Sequence, residues 1–131
     1  MHITLDEFIN RYYELFGDVY IHAFAAVILL DILTGVGKAW VTKSLNSTIG
    51  RRGVLEHLLV TVLGISLYPY LNLIGFDEIA KGFVIFFVAS YGISVIENLA
   101  AIGVPIPRWV RVRLEKIRDA FDDDVSTGGG K

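Results

Sequence analysis

The sequence predicts an all-α integral membrane protein with three transmembrane helices. Three stretches are predominantly apolar, at about residues 19–41, 54–75 and 79–102. A helix rises about 1.5 Å per residue, so roughly 20 residues cross the hydrocarbon of a bilayer, which is ~30 Å thick. Each of the three stretches has about that length. Of the 131 residues, 53% are hydrophobic and 20% are charged. Helices in soluble cores rarely stay apolar on every face for so long, so the arrangement favours membrane spans.

An amphipathic helix is predicted before the first span, over about residues 4–17. Thr4 and Glu7 have the spacing of a capping box, which marks a helix start. The apolar residues that follow recur at helical intervals, with charged residues on the other faces. They are Leu5, Phe8, Ile9, Tyr12, Leu15 and Phe16. This pattern is typical of a helix that lies in the membrane interface.

A second amphipathic helix is predicted after the third span, over about residues 107–121. Pro105 and Pro107 prevent the span from continuing, because proline lacks the backbone N–H that a helix needs. The predicted helix is basic and suits the surface of an anionic lipid bilayer. Its basic residues are Arg108, Arg111, Arg113, Lys116 and Arg118. Residues 1–121 thus form one domain, and residues 122–131 are expected to be a solvated, disordered tail.

The charges of the connecting segments predict how the chain is oriented. The loop between the first two spans carries Lys43, Arg51 and Arg52 and no acid, whereas the second loop is net acidic. Short basic loops stay in the cytoplasm. The first loop and the basic C-terminal segment are therefore expected inside and the N-terminus outside. The acidic N-terminus does not resemble a cleavable signal peptide, which would be basic.

The sequence favours no enzymatic activity. It contains no cysteine, which excludes disulfides and thiolate chemistry. The segment GVGKA at residues 35–39 resembles the end of a phosphate-binding loop, but it has Ala39 where Ser or Thr would bind magnesium and follows no strand. The three histidines are scattered. We therefore expect no catalytic residues, no metal or cofactor, and no nucleic-acid partner.

Two spans carry a stripe of polar and small residues along one face. In the first span these are Asp31, Thr34, Gly35 and Lys38, and in the third they are Ser90, Ser94, Glu97 and Asn98. An ionisable group at the centre of a span costs roughly 2.5–3.5 kcal/mol on insertion scales, so it normally faces protein or water. Lys38 and Glu97 are expected at similar depth and are predicted to pair, within one protomer or between neighbours.

The stripes have two interpretations. In one, Gly35 simply allows close helix packing, and Lys38 extends its ammonium to the membrane surface. In the other, the stripes form a pore or oligomer interface. Three such helices can hide their polar faces against each other in a monomer, and a large assembly can turn the same faces toward a shared aqueous lumen. The second interpretation fits a protein that is harmless when dispersed and permeabilising once assembled.

Three blocks of the sequence resemble the toxin-secretion/phage-lysis holin family, over roughly residues 27–117. They are Asp31-x-x-Thr34-Gly35-x-x-Lys38-Ala39, the basic loop that ends in Gly50-x-x-Gly53, and GISVIENLAAIGVPIP at residues 92–107. The family often has an acid just before the glycine at Gly92, where this chain has Tyr91, and a lysine where it has Glu56. The resemblance therefore carries no role over to those two positions.

The resemblance implies a small protein that accumulates in the bacterial cytoplasmic membrane, forms large homo-oligomers and opens lesions. In the family these lesions release an endolysin as cargo, or in some relatives a toxin. Some holins make an inhibitor from a second start codon, but Met1 is the only methionine here. A timing partner (an antiholin) would then be a separate protein.

Two other functions remain open from the residues alone. One is a small gated channel or transporter subunit of fixed stoichiometry, whose selectivity would need a ring of like groups at a constriction. The other is a membrane anchor that recruits a soluble partner through its C-terminal helix.

Overall fold

A computed structural model describes residues 2–44 and 47–127, with only the backbone described for residues 47–49 and 124–127. Within these residues the fold consists of five α-helices and a short 3-10 turn, with no strand. The helices are α1 (Leu5–Glu14), α2 (Val19–Val41), α3 (Ser47–Leu73), α4 (Asp77–Ile102) and α5 (Arg108–Thr127). The predicted all-α fold with three spans is confirmed, and α2, α3 and α4 each contain a stretch long and apolar enough to cross a membrane.

The helix α1 starts where the capping-box pattern places it. The Thr4 hydroxyl accepts a hydrogen bond from the Glu7 backbone N–H at 3.3 Å, and the Glu7 carboxylate accepts one from the Thr4 backbone N–H at 2.8 Å. That backbone hydrogen bond, together with one from the Thr4 hydroxyl, lowers the pKa of Glu7. The 3-10 turn Leu15–Gly17 then leads to Asp18, whose Oδ1 caps α2 by accepting from the Tyr20 backbone N–H at 2.8 Å.

The three spans form an up-down-up bundle. Residues near the start of α2 and of α4 share one core with Tyr68, near the end of α3. This core is formed by Ile21, Phe24, Ile28, Tyr68, Ala80 and Val84. We call this the first end of the bundle, and the end where α2 and α4 finish the second end. The helices α2 and α4 are therefore parallel, and α3 runs in the opposite direction beside them.

The outer surface of the bundle is apolar. Only 17% to 22% of the most apolar stretch of each span is buried. Large side chains of α2 and α3 that would be inside a soluble protein face outward. Among them are Leu29, Leu30, Leu33, Leu55, Leu58, Leu59, Val62 and Leu63. An apolar surface this extensive is suited to hydrocarbon and not to water.

The helix α5 folds back and runs antiparallel along α4. The chain reverses at Gly103, which ends α4 in the left-handed conformation (φ 102°), and continues through Pro105 and Pro107. Leu114 of α5 then lies against Gly92, and Phe121 lies against Gly82. The C-terminal helix thus follows α4 almost back to the first end of the bundle.

Two boundaries differ from those expected. α3 begins at 47 and not at 54, because the polar segment before the hydrocarbon-length stretch continues the same helix. α5 continues to Thr127, so residues 122–127 are helical, although a disordered tail was expected from 122. Once Phe121 is packed on Gly82, each further residue extends the helix at little cost. Residues 128–131 lie outside the described residues.

Gly64 of α3 lies directly against Phe24 of α2, so replacing it with alanine should destabilise the fold although alanine is the better helix former. A Cβ at Gly64 would lie 2.4 Å from Cε1 of Phe24, whose side chain is only 1% exposed and cannot move aside. We expect Gly64→Ala to lower the free energy of unfolding in detergent by about 1–3 kcal/mol, as overpacking does. Gly53→Ala is the control, because nothing lies within 4 Å of its added Cβ. Equal stability of the two variants would contradict this packing.

Candidate functional site

The candidate site is a polar cluster between the three spans, formed by Asp31, His57 and Asn98. Asp31 is buried, with 6% of its surface exposed. Its Oδ2 lies 2.7 Å from Nε2 of His57, and its Oδ1 accepts a hydrogen bond from Nδ2 of Asn98 at 3.2 Å. One side chain from each span therefore meets at a single carboxylate.

The lengths of α2 and α3 place Asp31 and His57 at the same depth. Asp31 lies ten residues before the end of α2 at Val41, and His57 lies ten residues after the start of α3 at Ser47. At about 1.5 Å per residue, both lie roughly 15 Å along their helices from the connecting loop. Because α2 and α3 are antiparallel neighbours, the two side chains meet across the bundle.

The hydrogen bonds of His57 fix the net charge of its pair with Asp31. Nδ1 of His57 lies 2.6 Å from the backbone carbonyl oxygen of Gly53, which can only accept, so Nδ1 carries a proton. The 2.7 Å contact between Nε2 and the Asp31 carboxylate needs one further proton, on either side. The pair is either imidazolium with carboxylate or imidazole with carboxylic acid. In both cases its net charge is zero, which makes a carboxyl group tolerable inside a span.

Asn98 extends the cluster along α2. Its Nδ2 also donates to the Thr34 hydroxyl at 3.3 Å, and that hydroxyl donates to the Leu30 backbone oxygen at 2.7 Å. A Cβ at Gly35 would lie 3.6 Å from the same Nδ2, in ordinary contact. The structure therefore brings four of the eight predicted interface residues together: Asp31, Thr34, Gly35 and Asn98.

The other four predicted interface residues lie outside the cluster. Glu97 pairs with Arg111 of α5 at 3.1 Å, and among the described residues the Lys38 ammonium makes no ion pair. Asn98 faces α2, and successive residues of a helix point about 100° apart, so Glu97 is turned toward α5. The predicted pairing of Lys38 with Glu97 is therefore wrong within the protomer. Its form between protomers stays a prediction.

The two serines of α4 are isolated. Ser90 has a buried hydroxyl that makes no hydrogen bond with any described residue. Ser94 is half-buried, one turn before Asn98. Neither position is brought to the Asp31 carboxylate, so a role at an oligomer interface stays a prediction for both.

Sequence reasoning missed His57. Its pairing with Asp31 depends on where α3 begins, and an assumed start at 54 places His57 only three residues into the span. With the actual start at Ser47, equal distances from the loop identify the two residues as neighbours. The ring of Tyr91, with its centroid 5.2 Å from that of His57, covers the imidazole on the α4 side.

The basic residues predicted to contact lipid all lie on α5, beside α4. Arg111 pairs with Glu115 at 2.8 Å as well as with Glu97, and Arg118 pairs with Asp119 at 2.9 Å. The other three, Arg108, Arg113 and Lys116, are exposed and form no ion pair with the described residues. No group of three His, Asp or Glu side chains in the described ranges is arranged to hold a metal ion.

The chain was compared with known proteins. The model of the bacteriophage holin family matches residues 11–119. The uncharacterized protein YqxH of Bacillus subtilis (strain 168) is 39% identical over 119 residues, covering 88% of this chain and 82% of its own length. A probable holin of Bacillus phage phi105 is 36% identical over 117 residues, covering 86% and 84%. The uncharacterized protein CPE0383 of Clostridium perfringens (strain 13 / Type A) is 37% identical over 94 residues, covering 70% of each chain.

No solved structure matches the chain. The family match spans most of the chain and includes every residue of the polar cluster. With its three membrane-spanning helices, the chain belongs to the bacteriophage holin family.

Proposed function

We propose that the protein accumulates in the bacterial cytoplasmic membrane, oligomerises and opens lesions that release an endolysin, so that the host cell lyses. The observation that carries this proposal is a net-neutral polar cluster enclosed by an apolar bundle. The similarity to a probable holin of Bacillus phage phi105 supports it. The N-terminus and the first end of the bundle would be outside, and the second end in the cytoplasm, as the basic loops indicate.

The cluster suits a protein that must exist in two states. In the dispersed protein, Asp31, His57 and Asn98 satisfy one another, and the apolar outer surface faces lipid. In an assembly the same groups can be hydrated, because each has hydrogen-bonding capacity that water can take over. Moving α3 away from α2 and α4 exposes the polar side of all three spans. The bundle thus holds enough polar surface to border water without inserting an unpaired charge into lipid.

The contacts of α3 support such a movement. It meets α2 through the Phe24 ring on Gly64 and through the ring of Tyr68, whose centroid lies 6.4 Å from that of Tyr20. Two hydrogen-bonded contacts join the same helices: His57 with Asp31, and Tyr68 with Asp18 at 3.0 Å. Water can replace both hydrogen bonds.

A gated channel and a membrane anchor are the competing functions. A selective channel needs like groups at one constriction, whereas the polar cluster between the spans combines an acid, an imidazole and an amide. Inducible expression in a bacterium separates the three, with membrane potential and leakage of a folded cytoplasmic enzyme as the measurements. We expect enzyme leakage with a delayed, abrupt onset. Ion flux without enzyme leakage would support a channel, and no flux at all would support an anchor. A toxin as cargo and a separate antiholin would be tested by co-expression.

The first prediction of this proposal concerns topology. The chain contains no cysteine, so single substitutions report one site each. We expect an impermeant thiol reagent on intact cells, before leakage, to label Asp77→Cys but not Ser44→Cys or Asp122→Cys. All three positions are exposed, so each should be labelled once the cells are permeabilised. Labelling of Ser44→Cys without labelling of Asp77→Cys would reverse the orientation.

The second prediction separates stability from release. His57→Leu leaves the Asp31 carboxylate with Asn98 as its only described side-chain donor, so we expect the free energy of unfolding in detergent to fall by about 3–5 kcal/mol. Asp31→Leu should cost less, because a neutral imidazole remains. The double variant should regain much of the stability, since apolar replacement of a whole buried pair is often neutral.

Release should not be regained with stability. We expect Asp31→Leu and the double variant to insert into the membrane and to lose or mistime enzyme leakage. Thr61→Val is the matched control, because it removes a hydroxyl that bonds only within α3, to the His57 backbone oxygen at 2.7 Å. Normal timing in the double variant would show that the cluster has no part in permeabilisation.

A further inference from the structure

The position of α5 is at odds with a bilayer that surrounds the protomer on all sides. Along α4, Gly92 and Gly82 are ten residues apart, about 15 Å, and both contact α5. Gly82 is only five residues from the start of α4. With the pair Glu97–Arg111 at the other end, α5 accompanies α4 over about 22 Å of its length. That distance is most of the ~30 Å thickness of the hydrocarbon.

The contact between α4 and α5 is built into the sequence. A Cβ on Gly92 would lie 3.1 Å from Leu114, and a Cβ on Gly82 would lie 3.0 Å from Phe121. Both glycines thus make room for a large side chain of α5, as small residues do where membrane helices pack. Gly103, in the left-handed conformation, reverses the chain between α4 and α5. The apolar side of α5 is therefore fitted to α4.

The opposite side of α5 is charged at the same depth. Arg113 is next to Leu114 in the chain, and Lys116 lies between Leu114 and Phe121, so both are at the depth of the contact with α4. Both are exposed and form no ion pair with the described residues. Asp119 is exposed as well, and among the described residues it pairs with its neighbour Arg118 alone. Free cations and a local ion pair at this depth are unfavourable against lipid, so this face requires water.

We propose that α5, folded back along α4, lines the aqueous lumen of the assembled lesion, with Arg113 and Lys116 facing the water. This inference rests on the proposed function, because only an assembly that encloses water offers such a surface. The lumen is continuous with the cytoplasm, so α5 reaches it without passing through hydrocarbon. We assign the folded-back position of α5 to the assembled protein, and in the dispersed protein we expect its basic face on anionic lipid at the cytoplasmic surface.

The depth of α5 is tested by measuring the distance between two spin labels on the protein. The protein is placed in vesicles of zwitterionic and anionic phospholipid, and the measurement is made on vesicles that leak an enclosed enzyme. Spin labels on Glu78→Cys and Ala120→Cys should be on the order of 10 Å apart if α5 is folded back. A surface position would separate them by about 40 Å, from the helix rise of about 1.5 Å per residue. The control pair, Glu78→Cys with Trp109→Cys, should remain about 35 Å apart in both cases.

The contact of α5 with water is tested by how often a spin label on α5 collides with reagents dissolved in water or in hydrocarbon. A spin label on Lys116→Cys should be relaxed strongly by a water-soluble paramagnetic reagent and weakly by oxygen, which concentrates in hydrocarbon. A label on Leu114→Cys, packed on Gly92, should respond weakly to both. The expected result is a short Glu78–Ala120 distance together with water contact at Lys116.

The outcomes separate this inference from the proposed function. A distance near 40 Å in leaking vesicles overturns the lumen position and leaves permeabilisation intact. A short distance with oxygen contact at Lys116 overturns it too, because α5 would then face lipid. Vesicles that never leak overturn the proposed function, and the lumen position with it.

Discussion

The structure depends on one constraint, which is that a carboxyl group in the middle of a membrane span must not remain charged alone. Asp31 meets it by sharing a proton with His57, whose other nitrogen is fixed by the Gly53 carbonyl oxygen. The donor Asn98 occupies the second carboxylate oxygen. This requirement sets the relative depth of α2, α3 and α4, since one side chain from each has to reach the same point. Packing at Phe24 and Gly64 then completes a register that the polar cluster already determines.

The spans and their polar faces could be predicted from the sequence, because both follow from hydropathy and helical period. Length and apolar character identify α2, α3 and α4 almost independently of their surroundings. The polar face of α2 is also local information, and the residues that it singles out, Asp31, Thr34 and Gly35, lie in the polar cluster of the structure. Asn98 was found in the same way on α4. Each of these predictions requires only knowledge of one helix at a time.

The partners across the bundle could not be predicted in that way. The pairing of His57 with Asp31 depends on the start of α3, and an error of seven residues there moves His57 by about two turns. The partner of Glu97 depends on where α5 lies. An amphipathic pattern shows which side of α5 is apolar but not which surface covers it, so the pairing of Arg111 with Glu97 could not be predicted. Hydropathy likewise cannot show that the chain reverses at Gly103.

The two carboxylate oxygens of Asp18 have different hydrogen-bond partners, one on α2 and one on α3. One oxygen caps the start of α2, and the other accepts from the Tyr68 hydroxyl, so the end of α3 is fastened to the start of its neighbour. The next polar contact between α3 and α2 is that of His57 with Asp31, eleven residues before Tyr68. In the movement of α3 that we propose, the contact of Tyr68 with Asp18 would act as the hinge, and the end of α3 near Arg51 and Arg52 would separate first.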